Sequence, residues 1–295
     1  MAAIIRMGRI VLLLLTSFTL VRCGATVSND PAVLVIGTSK ADAMVQSVFE
    51  KALESADTIT TLTIDLNTDT TLQFQIPEEI SALKKLTNLK ILGSVIELSS
   101  NFSELKNLES LYLWGVIPSD KHEEWAKIGE LTQLKSLTIT QNPEFRSFPE
   151  SLKKLTNLEA LSIHYNTHDM DWQKALSEIA TMKNLVKLGL GPYNEIGDLP
   201  EDIAKLSKLE ELDLSMTATT SIPDNISELR KLTRLDLRHT SMENIPVQLY
   251  QLQSLKFLGL PDKLISGKRD AGSMDSLLNY YQEKFPECEI VVKRQ

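Results

Sequence analysis

The side chains able to serve as nucleophile, base or metal ligand are few. The chain has two cysteines, Cys23 and Cys288, and four histidines, His122, His164, His168 and His239. Zinc sites need such ligands at short spacings that bring them to one helix face or one knuckle. His164 and His168 are four apart, but they straddle the end of a short alternating run, so they do not share a helix face. No serine or cysteine is placed for His164 to activate, and neither a G-x-S-x-G elbow nor a glycine-rich phosphate loop occurs. No constellation for turnover is present. The expectation is a chain that is not an enzyme and carries no cofactor and no metal.

Non-covalent recognition needs only side chains held at fixed positions, and the sequence supplies a device for that. The phrase L-x-x-L-x-L recurs, with its fourth position at Leu62, Leu89, Leu111, Leu137, Leu161, Leu188, Leu212, Leu235 and Leu258. The steps are 27, 22, 26, 24, 27, 24, 23 and 23 residues, so nine units follow one another. Within L-x-L the period is two. Both leucines point to one face of a short strand and the residues between and beside them to the other. Five units are joined by a proline phrase, at Ile76-Pro77, Phe148-Pro149, Leu199-Pro200, Ile222-Pro223 and Ile245-Pro246. Proline there fixes φ and favours the first turn of a short helical segment.

This phrase resembles the leucine-rich-repeat family, in its subclass of about 23 residues, over about residues 59–265. The resemblance implies an α/β repeat fold: a curved solenoid with a parallel sheet on the concave side and short helices on the convex side. The Asn that the family places after each strand stands at Asn142 and Asn166, with Thr217 and Thr240 there in later units. A threonine hydroxyl can still bond backbone. In the two wide units, 119–128 and 171–179 start with helix caps and carry helix formers, so both read as α-helices with Trp125 and Trp172 plugging the core.

A solenoid end exposes core leucines and must be capped. Residues 32–58 read as the N-terminal cap, with a short apolar run at 32–36 and a helical stripe over 40–53. Residues 266–295 read as the C-terminal cap. There an amphipathic helix over 274–285 is followed by a phrase resembling the terminal cap of many leucine-rich-repeat proteins, which makes Cys288 a buried core thiol.

The first 22 residues read as an address. Arg6 and Arg9 precede the apolar run Ile10 to Leu20, the layout of a secretory signal, and the run is too short to span a bilayer. Leu20-Val21-Arg22-Cys23-Gly24 resembles the bacterial lipoprotein box, which implies lipidation of Cys23, although Arg22 replaces the family's small residue. Ordinary cleavage after Ala25 is the other reading, and residues 23–31 form a tether in the first case. Both place the protein outside the cytoplasm. The formal net charge is −8, and removal of 1–22 takes away three arginines and no acid, leaving −11. Neither a duplex nucleic-acid binder nor an electrostatic membrane binder fits that sign. Membrane contact is expected only through an N-terminal lipid.

The strand periodicity names the candidate ligand-binding side chains. Tyr112 lies between two inward leucines, with Trp114 two residues on; Ser110, Ser136 and Thr138 lie beside them, and His164 ends the next strand. Large aromatics beside small hydroxyl residues suit a protein interface. Trp114 has a second reading, folded over its own loop to shield core. Further along, Lys187, Glu211 and Arg234 form one column of alternating sign. The next column is Gly189, Asp213, Asp236 and Gly259, where two like charges adjoin. Either a cation of a partner meets Asp213 and Asp236, or Arg234 and Arg238 neutralise both. The expectation is a protein or peptide ligand on the concave face. A structural envelope scaffold and a carbohydrate-binding protein are the alternatives.

Overall fold

The computed structural model describes residues 4–7, 10–13, 33–37, 53, 56–65, 74–93, 95–115, 121–142, 145–165, 170–264 and 271–292. The tether, Cys23, Asn166, His168 and all but Leu53 of the expected cap helix lie outside these residues. Two compact units are present, Met1–Glu144 and Phe145–Gln295.

Each L-x-x-L-x-L phrase contributes one strand. In the first unit these are β4 (Thr61–Asp65), β6 (Asn88–Leu92), β8 (Ser110–Trp114) and β9 (Ser136–Thr140), paired parallel in that order. The register sets leucine against leucine, Leu62 beside Leu89, then Leu111, then Leu137. These leucines are fully buried, as are Ile64, Ile91, Leu113 and Ile139 two residues on, which is the period-two alternation made physical. A strand β3 (Val33–Gly37), over the short apolar run, pairs parallel with β4. Upstream, β1 (Ile4–Met7) and β2 (Ile10–Leu13) are antiparallel to each other, and β2 is antiparallel to β3. A two-residue strand β5 (Phe74–Gln75) pairs with β7 (Val95–Glu97).

The second unit repeats the pattern with β10 (Ala160–His164), β11 (Lys187–Gly189), β12 (Glu211–Asp213), β13 (Arg234–Asp236), β14 (Phe257–Gly259) and β15 (Glu289–Val291), all parallel. Leu161, Leu188, Leu212, Leu235 and Leu258 form its spine, each at most 1% exposed. Burying each such side chain contributes roughly 1.5–3 kcal/mol, less the entropy of ordering it.

The connecting segments are short helical turns, as the proline phrase suggested, with Pro77, Pro149, Pro200, Pro223 and Pro246 just before the first turn instead of within it. Each is an extended N-cap, φ between −64 and −74, to a 3-10 turn such as Glu78–Ala82 or Asp224–Glu228. A 3-10 turn rises faster per residue and so returns the chain in fewer residues. The wide units do carry α-helices, α1 (His122–Gly129) and α2 (Trp172–Ile179). Asp171 caps α2 as read from sequence, accepting from the Lys174 N–H at 3.0 Å. For α1 the N-cap is Lys121 and no side chain caps it; Ser119 lies outside the described residues. Instead Glu124, buried within α1, accepts from the Leu98 N–H at 2.6 Å while Lys127 bonds both Glu124 and the Leu98 carbonyl. Trp125 and Trp172 are buried, as core plugs must be.

Helix α3 (Ala271–Lys284) buries Leu277 and Tyr281 and delivers the chain to β15. Cys288, just before β15, is a buried free thiol that burial pushes up to about 11.

Candidate functional site

On the open face of the first unit, Tyr112 stands between buried Leu111 and Leu113, so strand alternation alone turns it outward. Its register neighbours are Lys90 on one side and Thr138 on the other. The Lys90 ammonium lies 6.0 Å from the Tyr112 ring centroid, at the outer limit of a cation–π contact. Partial burial raises the Tyr112 phenol above its ordinary value. Thr138 and Trp114 are half-buried. Thr140, beside Trp114 in register, is buried and presents no surface.

On the second unit the charged columns resolve. Lys187 and Glu211 pair at 2.7 Å across adjacent strands, the lateral pairing their signs suggested. Arg234 lies flat on Phe257, 3.6 Å from the ring centroid, and reaches Asp236 at 3.2 Å. Arg238 grips the same carboxylate through Nη2 at 2.6 Å and Nε at 2.8 Å. Asp236 is 1% exposed. It leans over Gly259, where an added Cβ would lie 2.3 Å from its Oδ1. The missing side chain at Gly259 is therefore the space in which Asp236 is buried. The two like charges do not confront each other. Both guanidiniums serve Asp236, and Asp213 accepts from the Ser215 N–H at 2.9 Å.

His164 ends β10 over another glycine. A Cβ at Gly189 would meet the His164 ring at 3.3 Å and Ser162 Oγ at 3.2 Å. Burial lowers the His164 pKa from 6.5, opposed by the charge of Asp213. Its Nδ1 is hidden from solvent with no hydrogen-bond partner, and among the described residues no hydrogen bond joins it to Ser162. Among these residues no three His, Cys, Asp or Glu groups are placed to hold a metal ion.

Sequence reasoning missed a third set. Just past the strand in seven coils one residue has a left-handed backbone: Gly93, Gly115, Gln141, Tyr165, Tyr193, Met216 and His239, with φ between 48° and 107°. Backbone bonds to the next coil impose it, from Tyr165 N–H to the Pro192 carbonyl, Tyr193 to Met216, and Met216 to Arg238. Glycine is the unstrained choice there, and early coils use it. Later coils instead place large side chains that stay exposed, Tyr165 at 44%, Tyr193 at 56% and Met216 at 40%. The two tyrosine rings are 5.1 Å apart, tilted by 40°. The clue in the sequence was Gly93 and Gly115 at equivalent positions. Tyr193 was further hidden because its coil has one extra residue before Asn194, which donates to the Ile163 and Leu190 carbonyls. Thr217 and Thr240 do bond backbone, at 2.6 and 2.8 Å to Leu214 and Leu237.

A model of the family described as "Leucine-rich repeat region" matches residues 63–191. Those residues are a leucine-rich-repeat region. The fold is that of the leucine-rich-repeat solenoid, parallel strands joined by short helical segments. Among solved structures it is similar to internalin C2 of Listeria monocytogenes, with a TM-score of 0.50, 22% identity, and coverage of 71% of this chain and 82% of that one. It is also similar to the plant peptide hormone receptor RGFR1, solved in complex with RGF2, with a TM-score of 0.47, 21% identity, and coverage of 71% and 38%. Among curated proteins, the volume-regulated anion channel subunit LRRC8E of Xenopus tropicalis is 29% identical over 141 residues, 45% of this chain. The Xenopus laevis counterpart is 28% identical over the same length. The chain spans only 17% of those channel subunits. No helix among the described residues is long and apolar enough to cross a membrane.

Proposed function

We propose that this chain is a non-catalytic binding module outside the cytoplasm, which recognises a protein or peptide ligand on the open face of its sheet. The observation that carries the reading is the placement of Tyr112. It is outward between two buried leucines, flanked in register by Lys90 and Thr138, on a strand hydrogen-bonded on both sides. Such a side chain loses little freedom on binding, so most of its contact energy reaches the complex. Trp114 and Thr138 complete the proposed face on the first unit; on the second unit His164, Asp213 and the Arg234–Arg238–Asp236 group are the proposed contacts. In this reading Asp236 orders the two arginines and does not itself meet the ligand.

Residues 1–22 act as a secretory signal, and Cys23 is the lipidated N-terminus or is removed with it. Intact mass of the mature protein tests this: a diacylglyceryl mass on Cys23 supports anchoring, an N-terminus at Thr26 supports release, and an unprocessed Met1 sinks both. For the face, cross-linked partners are recovered with wild type and with Tyr112→Ala plus Trp114→Ala. Loss of specific partners supports the reading, and equal recovery removes the two aromatics from it.

A further inference from the structure

We infer that the ladder of left-handed residues Tyr165, Tyr193 and Met216, together with Asp213, is a subsite for an extended peptide segment carrying an arginine or lysine next to an apolar residue. The inference rests on the protein-binding reading above and names the chemistry of the partner.

Three observations converge on it. First, large side chains occupy backbone positions where glycine is relaxed and where Gly93 and Gly115 stand in other coils. Their exposure means that core burial does not offset the strain. Second, the two tilted tyrosine rings lie 5.1 Å apart, and the Tyr193 N–H bonds the carbonyl of exposed Met216 in the next coil, so three exposed apolar, polarisable side chains stand on consecutive coils. Such surfaces take aliphatic stems and stack on guanidinium planes. Third, Asp213 is the one carboxylate of its column that no described cation bonds. Arg238 is close enough to feel its charge, but Nε and Nη2 of Arg238 are committed to Asp236. Among the described residues Asp213 accepts the Ser215 N–H and no side-chain donor.

Charge and length then fix the occupant. Asp213 and Met216 are three residues apart, so their Cα atoms lie within about 10 Å of each other. Two or three residues of an extended peptide span that distance. Gly189 stands beside Asp213 in register and carries no side chain, so no Cβ from that strand covers the carboxylate. The net charge of −8 attracts a basic partner at long range.

The test uses the full chain and octapeptide pools, each with one fixed Arg, Lys, Leu or Glu among random residues, titrated by fluorescence anisotropy. The Arg and Lys pools should bind at least tenfold tighter than the Glu pool. Asp213→Asn should abolish that preference. Tyr165→Gly plus Tyr193→Gly should weaken every pool tenfold or more without lowering Tm, because glycine relieves the left-handed backbone. A basic preference that survives Asp213→Asn, equal binding of all pools, or a glycine pair that binds like wild type overturns the subsite. So does a glycine pair whose Tm falls, since the tyrosines would then serve stability. None of these results touches Tyr112 and Trp114, whose partner recovery decides the broader reading separately.

Discussion

Arg238 holds Asp236 from two residues further along the chain, past the end of β13, with Nη2 2.6 Å from Oδ2 and Nε 2.8 Å from Oδ1. Arg234 joins from the other side at 3.2 Å. A carboxylate with 1% exposure is tolerated because both lone-pair edges are filled and Gly259 leaves it space. Asp236→Ala should therefore leave two guanidiniums without their acceptor. They are 38% and 33% exposed, so water recovers part of the loss. The expected cost is roughly 2 kcal/mol, below that of breaking a fully buried pair. Urea denaturation measures it, and a cost under about 0.5 kcal/mol would show that the cluster is ornamental.

Glycines on the open face separate by what lies above them. A Cβ at Gly191 would come 1.8 Å from the Ser215 carbonyl oxygen, a backbone atom that cannot turn aside. Gly191→Ala should cost about 3 kcal/mol or more, or abolish folding. At Gly189 the nearest atoms are the Ser162 hydroxyl at 3.2 Å and the His164 ring at 3.3 Å, both on side chains. Gly189→Ala should cost about 1 kcal/mol, since both side chains can turn aside. Thermal melts of the two variants, compared directly, check the ordering.

His164 makes stability fall in weak acid. The unfolded imidazole takes a proton near 6.5, while burial holds the folded one below that value. Below pH 6.5 the unfolded state therefore binds more protons than the folded state, and stability declines as pH drops. Above that pH both forms are neutral and His164 contributes no slope. The difference in unfolding free energy between wild type and His164→Gln, followed from pH 8 to pH 5, should shrink toward the acid end. A constant difference would contradict the burial of the ring.

Cys288 should be inert while the chain is folded. Its thiol is buried and pushed up to about 11, so the thiolate that reacts with alkylating agents is scarce at neutral pH. Iodoacetamide at pH 7.5 should leave Cys288 unmodified for hours and label it within minutes in urea. Peptide mapping distinguishes it from Cys23. Rapid labelling of the native thiol would mean that the C-terminal cap opens.

The order of strands was legible from spacing alone, because an L-x-L pair can bury both leucines only in an alternating strand. Leu111, Leu161 and Leu235 each sit where that rule puts them. Tyr112 was equally legible, since its two neighbours on the strand are committed inward. The α2 cap at Asp171 and the core positions of Trp125 and Trp172 also follow from local chemistry.

Tertiary structure decided everything that depends on the neighbouring coil. Residues about 24 apart meet across one strand spacing, and a sequence read linearly does not show which way a side chain leans across that gap. Asp236 turns over Gly259 toward its own arginines, while Asp213 in the same column finds none. The left-handed turn at Tyr165, Tyr193 and Met216 is imposed by carbonyls of the following coil, so no local propensity announces it. The repeat period determined the scaffold because burial of leucine is nearly independent of its partners. Orientation, pairing and exposure on the outer face came from contacts between coils, where a single missing Cβ changes the outcome.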